Sequence, residues 1–267
     1  RGLPRSIPSG EILARVRELS ASGAPECVLT GINLGLWRED GKRLSDLLGW
    51  ILKAAGPMYV RLSSLEPRSF EMGVARHFEH PRLVPHLHFP LQGGCDGLLA
   101  RMNRRYDTAT YRGYLRGLRE IKPDLSISTD VICGFPGETE AEFEESIEFY
   151  ASCGFSKVHV FPFSARPLTA AERMPGQVAG PTIHARCERL KATAAAWEAA
   201  YRKSITHIAQ RFVLETEPLG GFAEGTTDRY QKGRIPVPPA SRLRRGANVM
   251  VRVPAVGDLF ENLTKDA

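Results

Sequence analysis

The stretch Ser126-Ile-Ser-Thr-Asp-Val-Ile-Cys-Gly-Phe-Pro-Gly-Glu-Thr139 constrains the fold more than any other part of the chain. Residues 125–131 read as a buried strand. The strand breaks into a glycine-proline loop, and an acidic helix is expected to open at Glu138. Gly134 and Gly137 suit a backbone that approaches a ligand closely. Asp130 is placed by this reading at the C-terminal end of the strand, where α/β proteins put their chemistry. Three further loops after expected strands carry similar polar, glycine-rich or proline-ended punctuation: Thr30-Gly-Ile-Asn-Leu-Gly35, Arg61-Leu-Ser-Ser-Leu-Glu-Pro67 and Pro90-Leu-Gln-Gly-Gly-Cys-Asp96. Together they point to one site built from several strand ends.

The pattern around these loops alternates strand and helix. Helices are expected from Ser9 to Gly23, Ser45 to Ala55, Thr108 to Ile121 and Thr182 to about Gln210. Short strands are expected at residues 27–30, 58–62, 87–91 and 157–161, in addition to the Ser126 strand. Such alternation predicts a parallel sheet or barrel with right-handed crossovers. Five strands cannot close an eight-stranded barrel, so either an open sheet is expected or these residues are part of a longer chain. After Arg211 the pattern changes to short strands at 212–216, 221–226, 232–237 and 248–253, separated by Gly, Pro and Asp. The chain therefore divides into an α/β part, 1–210, and a small all-β barrel, 211–267.

Charge sharpens the contrast. The net charge is +6, and between Arg229 and Arg252 there are seven Lys or Arg and no Asp or Glu. Within that run Lys232, Arg234, Arg242, Arg244 and Arg245 are candidates to neutralise phosphates, with Tyr230 to stack on a base. Arg101, Arg104 and Arg105 form a second basic group. No apolar run approaches the roughly 18 residues of a membrane span, and no leader with an apolar core opens the chain. A cytoplasmic location with reduced thiols is expected. The five cysteines, Cys27, Cys95, Cys133, Cys153 and Cys187, are scattered. No zinc or iron–sulfur spacing is present, so no metal ligands are assigned. His86 and His88 share one face of a strand, and hydrogen bonding within the sheet is preferred there to a metal pair.

With these residues in hand, the chain resembles the radical S-adenosylmethionine (SAM) methylthiotransferase family. The likeness rests on an ordered set: Thr30-Gly-Ile-Asn-Leu-Gly35, Arg61-Leu-Ser-Ser-Leu-Glu-Pro67, His86-Leu-His-Phe-Pro-Leu-Gln92, Met102-Asn-Arg-Arg-Tyr106, Thr129-Asp-Val-Ile-Cys-Gly-Phe-Pro-Gly-Glu138 and Phe161-Pro-Phe-Ser-Ala-Arg-Pro167. Arg1-Gly-Leu-Pro-Arg-Ser resembles the segment just after the family's cluster loop, and Glu224-Gly-Thr-Thr-Asp-Arg-Tyr230 resembles the TRAM RNA-binding barrel. Leu29-Thr-Gly-Ile-Asn-Leu-Gly35 looks most like the branch acting on tRNA N6-threonylcarbamoyladenosine.

The resemblance implies a partial (β/α) radical-SAM barrel lacking its first strand, followed by a TRAM-like barrel. It implies SAM as cofactor, and 4Fe–4S clusters whose C-x-x-x-C-x-x-C ligands are absent from these residues. It implies tRNA as partner and insertion of a methylthio group at C2 of the modified adenosine. By resemblance, Arg104 pairs with the SAM carboxylate, and Glu66 and Asp130 suit ribose hydroxyls. Gln92 suits ribose or methionyl groups, Gly31 and Asn33 the methionyl amino end, and Ser63 and Gly134 complete the pocket. Alone, the chain is expected to be inactive. Two alternatives stand beside this reading: a non-catalytic tRNA-binding module or truncated paralogue, and a methylthiotransferase acting on isopentenyladenosine tRNA or a ribosomal protein.

Overall fold

The computed structural model describes residues 5–264; most of the Arg1–Ser6 segment compared above lies outside them. Helix α1 (Ser9–Ala21) leads into strand β1 (Glu26–Leu29). A two-stranded hairpin of β2 (Arg38–Glu39) and β3 (Lys42–Arg43) precedes α2 (Leu44–Ala54) and β4 (Tyr59–Leu62). Then come α3 (Met72–Ala75), β5 (His86–His88), α4 (Asp96–Arg101), α5 (Thr108–Ile121), β6 (Ser126–Cys133), α6 (Glu140–Cys153), β7 (Lys157–Pro162) and α7 (Gly180–Ser204).

All five expected strands form and pair in parallel. β1 pairs with β4, and β5, β6 and β7 pair in that order. Parallel bridges at Val60–Leu83 and Ser64–His88 carry the sheet from β4 to β5. The C-terminal ends of all five strands therefore share one edge, where the punctuated loops emerge. One apolar core holds the helices to this sheet, with Leu48, Ile51, Phe89, Tyr111, Phe143, Phe155 and Leu190 among its buried members.

Three boundaries differ from the sequence reading, each for a local reason. The helix expected at Glu138 starts at Glu140, because Thr139 and Glu142 form a reciprocal capping box. Asp130 lies inside β6, three residues before its end at Cys133. The long helix stops at Ser204, and Gln210 belongs to a strand that pairs with a later one.

That strand, β8 (Ala209–Leu214), opens an antiparallel sheet with β9 (Phe222–Thr227), β10 (Lys232–Pro236), β11 (Asn248–Arg252) and β12 (Glu261–Asn262). Its order is β10-β9-β8-β11-β12, and an Arg234–Leu259 bridge brings its ends together, so the sheet nearly closes on itself. Phe212, Ile235, Val251 and Phe260 fill it. The division expected between 210 and 211 falls inside β8; the break between elements is at residues 205–208.

Buried charge joins the two parts. Arg61 on β4 donates to Glu26 on β1 at 2.6 Å and to the Asp228 carbonyl at 3.3 Å. Arg211 on β8 also pairs with Glu26, and its guanidinium lies 4.0 Å from the centre of the Tyr59 ring. Arg229 pairs with Asp124, and the Arg229 carbonyl accepts from Ser126 Oγ at 2.8 Å. Burial works to raise the Glu26 carboxyl, but hydrogen bonds and charge from Arg61 and Arg211 outweigh it and hold the group below its ordinary value of 4.5. A carboxylate depressed in the fold stabilises it fully above its unfolded value, and that stabilisation is lost as pH falls through the folded value. Glu26→Gln is therefore expected to lower stability at pH 7 and to flatten the loss below about pH 4.5, read as urea midpoints across that range.

Candidate functional site

Most of the side chains singled out in the sequence reach the C-terminal edge of the parallel sheet. Ser63 and Glu66 follow β4, and Gly31 and Asn33 follow β1. Gln92 follows β5 with φ 74°, and its backbone pairs with Asp130 and Ile132 of β6. Arg104 lies just after α4, and its guanidinium faces the Glu66 carboxylate at 3.7 Å. Both side chains are about one-third exposed (30% and 31%), and Arg104 Nε is buried without a partner. An under-coordinated guanidinium beside a half-open carboxylate suits a ligand carrying both an anionic group and hydroxyls. Asn33 is engaged internally, its Oδ1 accepting from Ser69 Oγ at 2.8 Å.

Two other expected ligand contacts have internal partners. A Cβ on Gly134 would lie 2.3 Å from the Ile183 side chain of α7, so the space this glycine leaves is filled by a helix. Asp130 is drawn inward, 3.2 Å from His88 Nε2. Behind it runs a chain of contacts, His88 Nδ1 to Ser128 Oγ at 2.9 Å and Ser128 Oγ to His86 Nε2 at 3.1 Å. His159 of β7 is the register partner of Asp130. Burial pushes His86 down to about 3, reinforced by Arg61 and the neighbouring histidines, so it is neutral. Burial also lowers His159, against the pull of Asp130.

His86, His88, Ser128 and His159 line a cavity of about 540 Å3 between the parallel sheet and the small barrel, with Ser63, Ser64, Arg61 and Tyr230 among its other walls. Tyr230 is expected from sequence to stack on a base. At φ 63° one face of its ring stacks on His86 at 4.7 Å and 17°, while the residue stays exposed. Lys232, Arg242, Arg244 and Arg245 are exposed and form no ion pair among the described residues. Arg234 is exposed but sits 3.5 Å from Asp258 and over Phe222. In the second basic group, Arg101 is neutralised by a two-pronged pair with Glu142 at 2.7–2.8 Å.

Sequence reasoning missed the His88–Asp130–His159 grouping and the buried pair of Arg186 with Glu138, 3.0 Å apart. The Thr139-x-x-Glu142 signature could have shown that Glu138 precedes the helix and is free to turn inward. Nothing in one sequence supplies the cross-strand register that joins Asp130 to His159.

The five cysteines are all buried; Cys133 and Cys187 meet, but among the described residues no third thiol joins them, so these residues do not fit a three-thiolate cluster site. The Arg104–Glu66 pair does fit the polar ends of SAM. Among the described residues no helix is long and apolar enough to cross a membrane.

Comparison with known proteins agrees with the fold. Residues 1–150 match the Radical SAM superfamily. The chain is 38% identical over 230 residues to the threonylcarbamoyladenosine tRNA methylthiotransferase MtaB of Thermotoga maritima, covering 85% of this chain and 53% of that protein. It is 36% identical to the Bacillus subtilis MtaB over 87% of this chain and 53% of that one. It is also 35% identical to the tRNA-2-methylthio-N(6)-dimethylallyladenosine synthase of Streptomyces viridosporus, over 95% of this chain and 52% of the relative. The chain thus spans about half the length of the curated relatives it matches. Among solved structures, coproporphyrinogen III oxidase (HemN) from Escherichia coli superposes with a TM-score of 0.55 at 13% identity, covering 82% of this chain and 60% of that one. Parallel strands, shared strand-end loops and this sequence match lead to one assignment: the chain belongs to the radical SAM superfamily and is similar, within it, to tRNA methylthiotransferases.

Proposed function

We propose that this chain is the SAM-binding and RNA-binding part of a tRNA methylthiotransferase acting at C2 of N6-threonylcarbamoyladenosine. The observation that carries the reading is the Arg104–Glu66 pair, brought from separate segments to the strand-end edge. Arg104 would take the carboxylate of SAM through its fork of donors, and Glu66 the ribose hydroxyls. Gln92, Ser63, Gly31 and Asn33 lie around the same edge and would bound the ligand. When bound beside a reduced cluster, SAM supplies a carbon-centred radical; this chain's residues supply orientation and exclusion of water. The threonylcarbamoyl substrate follows the names of the two MtaB relatives.

The near-closed small barrel, read as TRAM-like, would carry the RNA on its exposed Lys232, Arg242, Arg244 and Arg245. Each phosphate contact to structured RNA adds roughly 0.7–0.9 to the slope of log affinity against log salt. Replacing the three arginines by alanine is expected to reduce the magnitude of that slope by about 2–3 and to weaken tRNA binding at physiological salt, measured by filter binding across a salt series. An unchanged slope would remove this face from the interface.

The test of function is to inactivate the gene encoding this chain and analyse tRNA nucleosides by mass spectrometry. Loss of the 2-methylthio group from threonylcarbamoyladenosine, restored by complementation, supports the proposal. Loss from isopentenyladenosine instead would reassign the substrate. Unchanged nucleosides together with tRNA binding would select the alternative of a tRNA-binding module without catalysis.

A further inference from the structure

Three adjacent parallel strands place His88, Asp130 and His159 on one face of the sheet. Asp130 and His159 are register partners, and His88 is opposite Ser128, two residues before Asp130. One ligand atom from each of the three lies within 4.8 Å of the others. His88 Nε2 and Asp130 Oδ2 are 3.2 Å apart. A zinc ion with bonds of roughly 2.0–2.1 Å sets neighbouring tetrahedral ligands about 3.3–3.4 Å apart. That pair already has the needed separation, and only the His159 side chain has to close in.

A hydrogen bond between His88 and Asp130 accounts for their approach, but not for the third member. The His159 imidazole makes no hydrogen bond among the described residues, although its ring lies 5.8 Å from that of His88. The far side of His88 is held as in metal sites: Nδ1 meets Ser128 Oγ at 2.9 Å, fixing the ring and leaving Nε2 toward the carboxylate. All three side chains are half-buried, and His88 and His159 line the cavity of about 540 Å3, which leaves room for water or a substrate oxygen.

We propose that His88, Asp130 and His159 form a binding site for one divalent first-row transition ion, of the zinc or iron(II) class, with coordination positions open to the cavity. Two imidazoles and one carboxylate are the donor set such ions take when they keep exchangeable positions. The Asp130 carboxylate then serves the ion rather than a cofactor ribose. This inference does not depend on the proposed methylthio transfer.

The test uses the tag-free chain, freed of metal with chelator and dialysed. Zinc alone is titrated calorimetrically, and cobalt(II) alone is followed by its visible d–d absorption. One ion per chain is expected, with an absorption pattern of mixed nitrogen and oxygen ligands. Asp130→Asn keeps the volume and the contact with His88 but removes the anionic ligand; it and His159→Ala are each expected to weaken binding about 100-fold or more, beyond the roughly 10–100-fold of an outer partner. Ser128→Ala should weaken it about 10–100-fold. Circular dichroism and urea midpoints separate a misfolded variant from a lost ligand. His184→Ala and His207→Ala should leave binding unchanged. Absence of stoichiometric binding, binding indifferent to Asp130→Asn and His159→Ala, or a thiolate-type cobalt spectrum would each overturn the site.

Discussion

Replacing Arg186 by methionine is expected to lower the unfolding free energy by about 3–5 kcal/mol, the usual result of orphaning one member of a buried ion pair. The Arg186 side chain is 7% exposed and that of Glu138 2%. Arg186 also donates to the Glu138 carbonyl at 3.1 Å and to Glu140 at 2.9 Å, tying α7 to the start of α6. Burial raises the Glu138 carboxyl above 4.5, opposed by the Gly134 N–H and by Arg186. A carboxyl raised in the fold penalises folding while it is ionised, and acidification through that raised value relieves the penalty. The Arg186→Met loss should therefore be largest near neutral pH and shrink on acidification. Glu138→Gln, which keeps the shape and removes the charge, should cost less. Urea titrations at pH 7 and pH 5 check all three statements. Equal losses at both values would mean that packing of Arg186 over the Phe143 ring, 5.3 Å away, outweighs its charge.

The second large effect concerns Arg104. On the proposed function, in a strain depending on the gene for this chain, Arg104→Met is expected to reduce 2-methylthio nucleoside to the level of the gene deletion. Hydrogen bonds to charged groups contribute about 1.5–3 kcal/mol, or roughly 10- to 150-fold, and a misplaced cofactor multiplies that loss. Arg104→Lys keeps the charge but not the fork, and should recover only part. tRNA affinity should not move, because Arg104 lies at the strand-end edge and the exposed arginines lie on the small barrel. Full product from Arg104→Met would remove this residue from the cofactor site.

The alternation of strand and helix was legible because it is written locally. α5 runs from Thr108 to Ile121 as its sequence implies, with the Asp107 carboxylate capping Thr110 N at 2.7 Å. The end of α7 was not legible. The sequence after Ser204 carries no helix breaker before Arg211, and what removes Ala209 and Gln210 from the helix is pairing with Arg252 and Val251, about forty residues later. The orientation of Tyr230 was not legible for a related reason. Its type suits a base-stacking platform, but the left-handed turn that aims it at His86 is fixed by its neighbours in space. The strand-end half of the site could be read from loop composition. The lumen half, His88 with Asp130 and His159, depends on register between strands.

Glu26 has a consequence for how this molecule can be recombined. One carboxylate on the parallel sheet serves Arg61 of that sheet and Arg211 of the small barrel, and Asp124 likewise answers Arg229. The joint is thus a matched lock rather than a tether. A barrel transplanted to another sheet would arrive with Arg211 stripped of its carboxylate and Arg229 left with Asp228 alone, and the sheet left behind would keep Glu26 and Asp124 without half their counter-charge. Exchange of this barrel between proteins therefore requires that both acidic positions travel with it.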